Sequence, residues 1–560
     1  MSGEVSRKEY RWAAAVALVV VAFSTLPYAA GYLAQTPDLR FAGAVFDLED
    51  YHSHMAKMWQ GYRGEWRYRL LFTSEEHEGA YLQTFYVALG HCARLLGLGL
   101  PFTYHLARIA AGVVLLLAVY RFVALFTTGK VRQVSFLLAA TSSGLGWLVE
   151  ALYHTPSGGI SPIDFWLIDA YTFFSLFTFP HFSVAIALLL SLYGVMLRLA
   201  NGDTPGSKIA VGQDAVSSYL RDAAVVILLS WGLGLVHPYA LLLADLVPAL
   251  YLVWRTVVGR RLHVRPLVAL AAMGLAQAPL LLYDYRAFAA SPVFGAWSAQ
   301  NLTLSPPFLY YLLGYGVVAL LAAWGVRSAL RASRRTVFLL VWIGVALTLA
   351  YLPWGLQRRF VEGVHVGLCI LAGYGLVEGL MPALARPLGR LARLLHYSPR
   401  RLRWLARGLI LALAALSNLY LIATYTLAAA ARHPDLFHST DQVAAGGWLA
   451  ANTEWQETVL AGYETGNGLA GGIGHRVVLG HWAETVDYEA KREQVAAFYA
   501  ESTSEAERRE MLERWDVHYV YFGPEERALG RFDLQAAPYL EPVFRRGEVA
   551  IYRVTPEEAQ

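Results

Sequence analysis

The sequence predicts an all-α polytopic membrane protein of about 11 transmembrane helices with a large first outer loop, followed by a small α/β extracytoplasmic domain. Three observations predict it. Hydrophobic residues make up 56% of the 560 and charged residues only 16%, against roughly 25% charged in soluble chains. That excludes soluble, disordered and fibrous classes. Apolar runs of about 20 residues recur, each able to cross a hydrocarbon core of roughly 30 Å. The charge is also divided: residues 431–560 carry 12 Lys+Arg against 22 Asp+Glu, and the rest carries 34 against 20. A basic membrane part, 1–430, thus precedes an acidic soluble part, 431–560. Positive charge in short loops orients spans and points to no nucleic acid. Cys92 and Cys369 form neither a disulfide framework nor a zinc spacing.

The first apolar run, 12–33, follows Arg7, Lys8 and Arg11. It is longer than a signal-peptide core and reads as a retained span with the N-terminus in the cytoplasm. Further spans are expected near 104–126, 132–153, 180–198, 222–237, 238–256, 266–286, 308–326, 336–353, 360–381 and 404–428. The fifth and sixth meet at His237-Pro238 and read as two short spans or as one broken pair. With 11 spans, the basic loops at Lys130/Arg132, Arg198/Lys208/Arg221, Arg255 to Arg265, Arg327 to Arg335 and Arg386 to Arg407 all fall on the cytoplasmic side, as the positive-inside rule requires. Residues 34–103, 154–179, 287–307, 354–359 and 429–560 then face outward, in a multi-pass protein of the cell membrane. The apolar segment 81–97 must not cross, or every later loop would invert. It reads as a juxtamembrane or re-entrant outer helix.

The tail has the length of a small domain. Asp487 to Ala500 and Ser504 to Trp515 read as helices, the second with Ser504 as N-cap and Glu507 three residues on. Val517–Phe522 and Val549–Val554 read as strands. Gly466–Gly474 reads as a glycine-rich turn. His475, His481, Trp482 and Glu484 read first as a packed turn and second as the lining of a sugar groove. No phosphate-binding loop or nucleophile elbow is present.

Residues 46–79, FDLEDYHSHMAKMWQGYRGEWRYRLLFTSEEHEG, carry the strongest chemical signal. Asp47, Glu49, Asp50, Glu75, Glu76 and Glu78 cluster with His52, His54 and His77 among aromatic residues. Asp50 to Gln60 can form an amphipathic helix with Met55, Met58 and Trp59 toward the membrane and Asp50 at its N-terminus, where the dipole favours a carboxylate. Carboxylates beside aromatic rings suit a sugar, whose faces stack while its hydroxyls donate. His52 and His54 with Asp50, Glu75 and His77 are a candidate divalent-metal set, although histidines two apart on a helix do not face together.

Here the chain resembles the C-type glycosyltransferases, membrane enzymes that use polyprenyl-phosphate-linked sugars, with protein O-mannosyltransferases and lipid A aminoarabinose transferases as relatives. The resemblance lies in topology over roughly 1–430, in the acidic patch Asp47 to Asp50, and in Gln357-Arg358-Arg359-Phe360 at an outer span end. YHSHMAKMWQG, FTSEEHEGAYL and FPHF look like a bacterial branch of the superfamily. It implies inverting transfer from the lipid-linked donor to an outer glycan, lipid or protein acceptor, with Asp50 as base, Glu49 next and Asp47 in competition. Arg358 and Arg359 would hold the departing phosphate, or else contact membrane lipid headgroups. Glu75, Glu76, His77, His181 and Arg108 are further substrate-binding candidates. His181 also reads as a helix start, and Arg108 as a snorkelling side chain. Glu362 is placed to pair with Arg359. Some members of the family use a divalent ion. A transporter or flippase, or a noncatalytic scaffold with an outer recognition domain, is the alternative, but no internal repeat and little midspan charge support a transporter.

Overall fold

The structure, a computed structural model, describes residues 5–153, 162–202 and 213–555. Lys208 and the segment 154–161 of the second expected outer loop lie outside the described residues. Among the described residues, eight helices are long and apolar enough to cross a membrane: Arg7–Leu33, Leu100–Ala124, Pro180–Asn201, Val216–Val236, Ala240–Gly259, Val264–Ala290, Phe308–Ala332 and Gln357–Ala383. Two bent pairs raise the number to ten if each is one span. They are Gly129–Thr141 with Gly146–Leu152, bent by 50°, and Pro399–Ala414 with Leu416–Ala430, bent by 55°.

The expected span at 336–353 is a helix of only 13 residues, Val337–Leu349. At 1.5 Å per residue it reaches about 20 Å, short of a bilayer core. His237-Pro238 separates two long helices and is a turn, not the centre of a dipping pair. The segment 81–97 forms the helix Thr84–Leu96, also 13 residues and too short to cross alone.

The chain divides into two compact units: 1–26, 107–282 and 303–424, and 27–106, 283–302 and 425–560. The first holds most of the apolar helices. Arg108, at 0% exposure, lies wholly inside it. Its guanidinium donates to Thr25 Oγ1 at 3.1 Å, Ser24 Oγ at 3.4 Å and the Leu176 carbonyl at 3.3 Å. Of the two readings of Arg108, a snorkelling side chain and a substrate contact, snorkelling does not occur: these acceptors hold the terminal nitrogens inside the bundle.

The second unit joins the first long loop to the tail. Strand β1 (Leu39–Phe41) pairs antiparallel with β2 (Phe437–Ser439). A four-stranded sheet has the order β3 (Thr458–Leu460), β4 (Val517–Phe522), β6 (Val549–Val554), β5 (Leu540–Arg546), with β3 parallel to β4 and the other pairs antiparallel. The strands expected at 517–522 and 549–554 fall at those residues. The helices Tyr488–Tyr499 and Glu505–Arg514 do as well, the latter with Ser504 and Glu507 closing a capping box. One core of this unit mixes Ala56, Leu71 and Phe72 of the loop with Val459, Tyr519 and Ile551 of the sheet. Loop and tail therefore bury one another's apolar surface.

The loop helix, Leu48–Arg63, is the hub of this unit. A Cβ on Gly61 would stand 2.0 Å from the Val87 carbonyl oxygen, and one on Gly90 would stand 2.0 Å from that of Met58. Only glycines let the helix Thr84–Leu96 approach so closely. On another side lies the helix Tyr463–Ile473. Its glycines read as a turn in the sequence, yet Gly471 is what lets its backbone meet His52, whose Cα would be 2.7 Å from an added Cβ. Trp59 Nε1 donates to the Gly471 and Gly472 carbonyls at 3.1 and 3.0 Å. Arg63 donates to the Ile473 and Gly474 carbonyls at 2.8 and 2.6 Å, a cation at the negative end of a helix dipole. Met55 and Met58 are buried. The apolar face expected to meet the membrane is spent on packing within this unit, which offers it both hydrogen-bond acceptors and apolar contacts.

Candidate active site

The carboxylates stand at the N-terminus of the loop helix. The N-cap is Asp47, not Asp50: its Oδ1 accepts from the Asp50 N–H at 3.3 Å and its backbone is left-handed, with φ 49°. A left-handed non-glycine residue is costly and clusters at functional sites. Glu49 and Asp50 follow in the first turn, where the dipole favours negative charge.

The three acids have different partners. Asp50 Oδ1 lies 2.9 Å from His481 Nε2, a residue of the tail. Glu49 is reached by the Tyr463 hydroxyl. Asp47 is exposed at the surface although much of the unit surrounds it. The surrounding mass, together with the Asp50 charge, raises its pKa to about 8.

Behind Asp50 lies a buried ion pair. Glu484 Oε1 accepts from Lys57 Nζ at 2.8 Å and from Ser53 Oγ at 2.6 Å, and Tyr68 donates to Oε2. Burial works to raise the Glu484 carboxyl, but the Lys57 charge and the bonds from Lys57 and Ser53 hold it below the usual carboxylate range. Sequence reasoning missed Lys57. The signal was composition: Lys57 and Lys491 are two of only five lysines among 46 basic residues, and both are buried in ion pairs.

Several expected substrate contacts have structural partners instead. Glu75 takes a bond from Lys491 Nζ at 2.6 Å. His77 sits between the Leu70 N–H, 2.9 Å from Nε2, and the Glu75 carbonyl, 2.9 Å from Nδ1. Both ring nitrogens thus serve the loop backbone, and burial lowers its pKa. Glu76 is exposed. His54 stacks on Tyr86 at 4.0 Å, whereas His52 faces His438 and Gly471, and burial lowers the His52 pKa to about 3. The expected metal pair diverges because residues two apart are about 200° apart around a helix. Among the described residues, no group of three or more His, Cys, Asp or Glu side chains is arranged to hold a metal ion.

The first unit carries its own polar cluster. Arg358 and Arg359 lie on a 3₁₀ turn, Gln357–Val361. Arg359 Nη1 donates to the buried Asp169 at 3.4 Å while the arginine side chain stays 24% exposed. Its guanidinium lies over Phe182 at 5.8 Å, and that of Arg358 over Trp166 at 5.2 Å. Glu362 does not pair with Arg359: its Oε1 lies 2.9 Å from His237 Nδ1, with the Tyr239 hydroxyl also 2.9 Å from that nitrogen. His181 opens the helix Pro180–Gly202 and packs its ring 4.9 Å from that of His237. The turn between two long helices, the FPHF turn and the arginine pair thus meet in one cluster.

These features define a multi-pass membrane protein whose first long loop and tail build one unit around an acidic helix terminus. No family model and no curated protein matches the chain. Solved structures do. The apo oligosaccharyltransferase of Archaeoglobus fulgidus shares 15% identity at a TM-score of 0.50, over 99% of this chain and 76% of that one. ArnT from Cupriavidus metallidurans, bound to undecaprenyl phosphate, shares 12% at 0.53, over 97% of each. The arabinofuranosyltransferase AftD from Mycobacteria shares 15% at 0.54, over 99% of this chain and 40% of that one. The chain has the fold of these membrane glycosyltransferases, the fold expected from its acidic first loop and span pattern.

Proposed function

We propose that the protein transfers a sugar from a polyprenyl-phosphate donor to an extracytoplasmic acceptor, a glycan, lipid or protein, with inversion at the anomeric carbon. The observation that carries this reading is the state of the acids: Asp47 is exposed and caps the helix, while Asp50, 38% exposed in its side chain, is held by His481. The sequence placed Asp50 first, Glu49 next and Asp47 in competition; the bond from His481 to Asp50 favours Asp47 as the base in this reading. As the acceptor hydroxyl attacks the anomeric carbon, Asp47 takes its proton. The bond to the lipid phosphate breaks; within the first unit, Arg358 and Arg359 are the groups suited to such an anion, which guanidinium planes match in a bidentate manner. The buried Asp169 orients Arg359 for that task. The undecaprenyl phosphate bound to ArnT supports this donor class. The likeness to transferases favours an enzyme over a transporter or scaffold. The basic loops support a cytoplasmic N-terminus and an extracytoplasmic tail.

The test is a screen of the detergent-purified protein against polyprenyl-phosphate sugars, reading release of polyprenyl phosphate. Asp47→Asn keeps the cap but removes the base and is expected to lower turnover by about 100-fold or more. Release by none of a broad donor panel overturns the transferase reading. Full turnover in Asp47→Asn moves the base to Asp50 or Glu49.

A further inference from the structure

We infer that His481 of the tail is a positioning residue that fixes the Asp50 carboxylate beside Asp47. Three sets of contacts point to this. First, the ring has a defined proton. The Ala483 N–H approaches Nδ1 at 3.2 Å, so Nδ1 accepts and the proton sits on Nε2, which donates to Asp50 Oδ1 at 2.9 Å. Second, the ring cannot turn freely. It is 5% exposed, stacks on Trp482 at 6.1 Å and lies against Phe72 at 5.9 Å.

Third, the turn that carries His481 is bound to the same helix that carries Asp50. The Glu484 and Thr485 N–H groups donate to the His481 carbonyl, both at 2.9 Å, which closes the turn. Glu484 then accepts from Ser53 and Lys57, and Thr485 Oγ1 donates to the Phe72 carbonyl at 2.7 Å. Asp50, Ser53 and Lys57 are spaced i, i+3, i+7, one face of the loop helix. A single turn of the tail therefore grips that face at two levels, through His481 at the acidic terminus and through Glu484 farther along.

A contact that served docking alone would be satisfied by Glu484 and its three donors. His481 adds a directional bond to an acid in the first turn of the catalytic helix, and that bond keeps Asp50 from rotating into the space where Asp47 meets the acceptor. The tail thereby completes the site in addition to covering the loop. Transfer involves no covalent step on His481 and no proton exchange with it.

The experiment has two arms, both on the full-length protein. The spectroscopic arm uses ¹⁵N-histidine labelling, with the His481 signals assigned by their loss in His481→Gln. The expected result is a ring that carries a proton on Nε2 and whose Nε2 shift moves in Asp50→Ala. A ring protonated on Nδ1 alone, or signals unmoved by Asp50→Ala, overturns the inference. This arm needs no substrate, so its outcome stands apart from that of the transferase reading on which the kinetic arm rests. In the kinetic arm, His481→Leu keeps the bulk of the ring and removes the donor. It is expected to lower kcat by about tenfold to 100-fold, the loss of one hydrogen bond to a charged group, with KM for donor and acceptor within about twofold. His481→Gln, which can donate from its amide, is expected to recover most of that loss. Wild-type kcat in His481→Leu overturns the inference, and so does a His481→Gln protein no more active than His481→Leu at equal thermal stability.

Discussion

Lys57→Met tests the energetic centre of the loop–tail unit. Lys57 and Glu484 are 2% and 3% exposed in their side chains and 2.8 Å apart. Removing one member of a buried pair typically costs about 3–5 kcal/mol, because the other charge is left buried and uncompensated. Glu484 would keep its bonds from Ser53 and Tyr68, which places Lys57→Met near the lower end, about 3 kcal/mol. At about 2–4 °C per kcal/mol for a unit of this size, the midpoint of unfolding should fall by about 6–12 °C, read by intrinsic tryptophan fluorescence in detergent. Adding Glu484→Gln removes the stranded charge, so the double variant should be less destabilised than the sum of the single ones by about 1–3 kcal/mol. Acid should act in the same way. Glu484 is held below its unfolded pKa, so its contribution is complete above that pKa, near 4.3, and is lost as pH falls through the lower folded value. The double variant should lack that part of the acid loss. A midpoint shift below about 2 °C in Lys57→Met, or strict additivity in the double variant, would refute the reasoning.

Three further outcomes are expected. Arg358→Ala or Arg359→Ala should weaken donor binding at least tenfold, Arg359→Ala with a lowered unfolding midpoint as well because the buried Asp169 loses its partner, and lysine at either position should restore only part of the binding, since it lacks the planar fork; unaltered donor affinity in the double alanine variant would return the pair to a lipid-headgroup role. Gly90→Ala should destabilise the loop–tail unit or abolish expression, because its Cβ would meet the Met58 carbonyl at 2.0 Å, whereas Gly97→Ala, with open space but a φ of 64°, should cost only about 1 kcal/mol; equal midpoints for both would argue against the close helix crossing. Glu501→Cys, exposed beside the capping box at Ser504, should react with an impermeant thiol reagent from outside intact cells once the exposed Cys92 is replaced by serine; labelling only from the cytoplasmic side would invert the topology.

The sequence by itself determined what depends on local or one-dimensional pattern. Apolar runs define spans because a bilayer demands about 20 apolar residues in a row, and Ser504 with Glu507 defines a helix start because both partners lie within one turn. The acidic patch at Asp47 to Asp50 was legible as a candidate site for the same reason: unusual charge in an apolar chain is visible without knowing what faces it. Which of those acids gains a partner from a distant part of the chain could be read only from the fold. Asp50 is bound because His481, 431 residues later, folds onto it. Glu75 and His77 hold the loop together because Lys491 and the loop's own backbone reach them first. The 13-residue helices Thr84–Leu96 and Val337–Leu349 are too short to cross a bilayer alone, although their apolar content resembles that of spans. The glycine-rich run from Gly466 lies in the helix Tyr463–Ile473, with Gly474 as its C-cap, because packing against the loop helix outweighs the low helix propensity of glycine. Composition records how apolar or charged a residue is, but the partner that satisfies it comes from a distant part of the chain, and that pairing fixes its role.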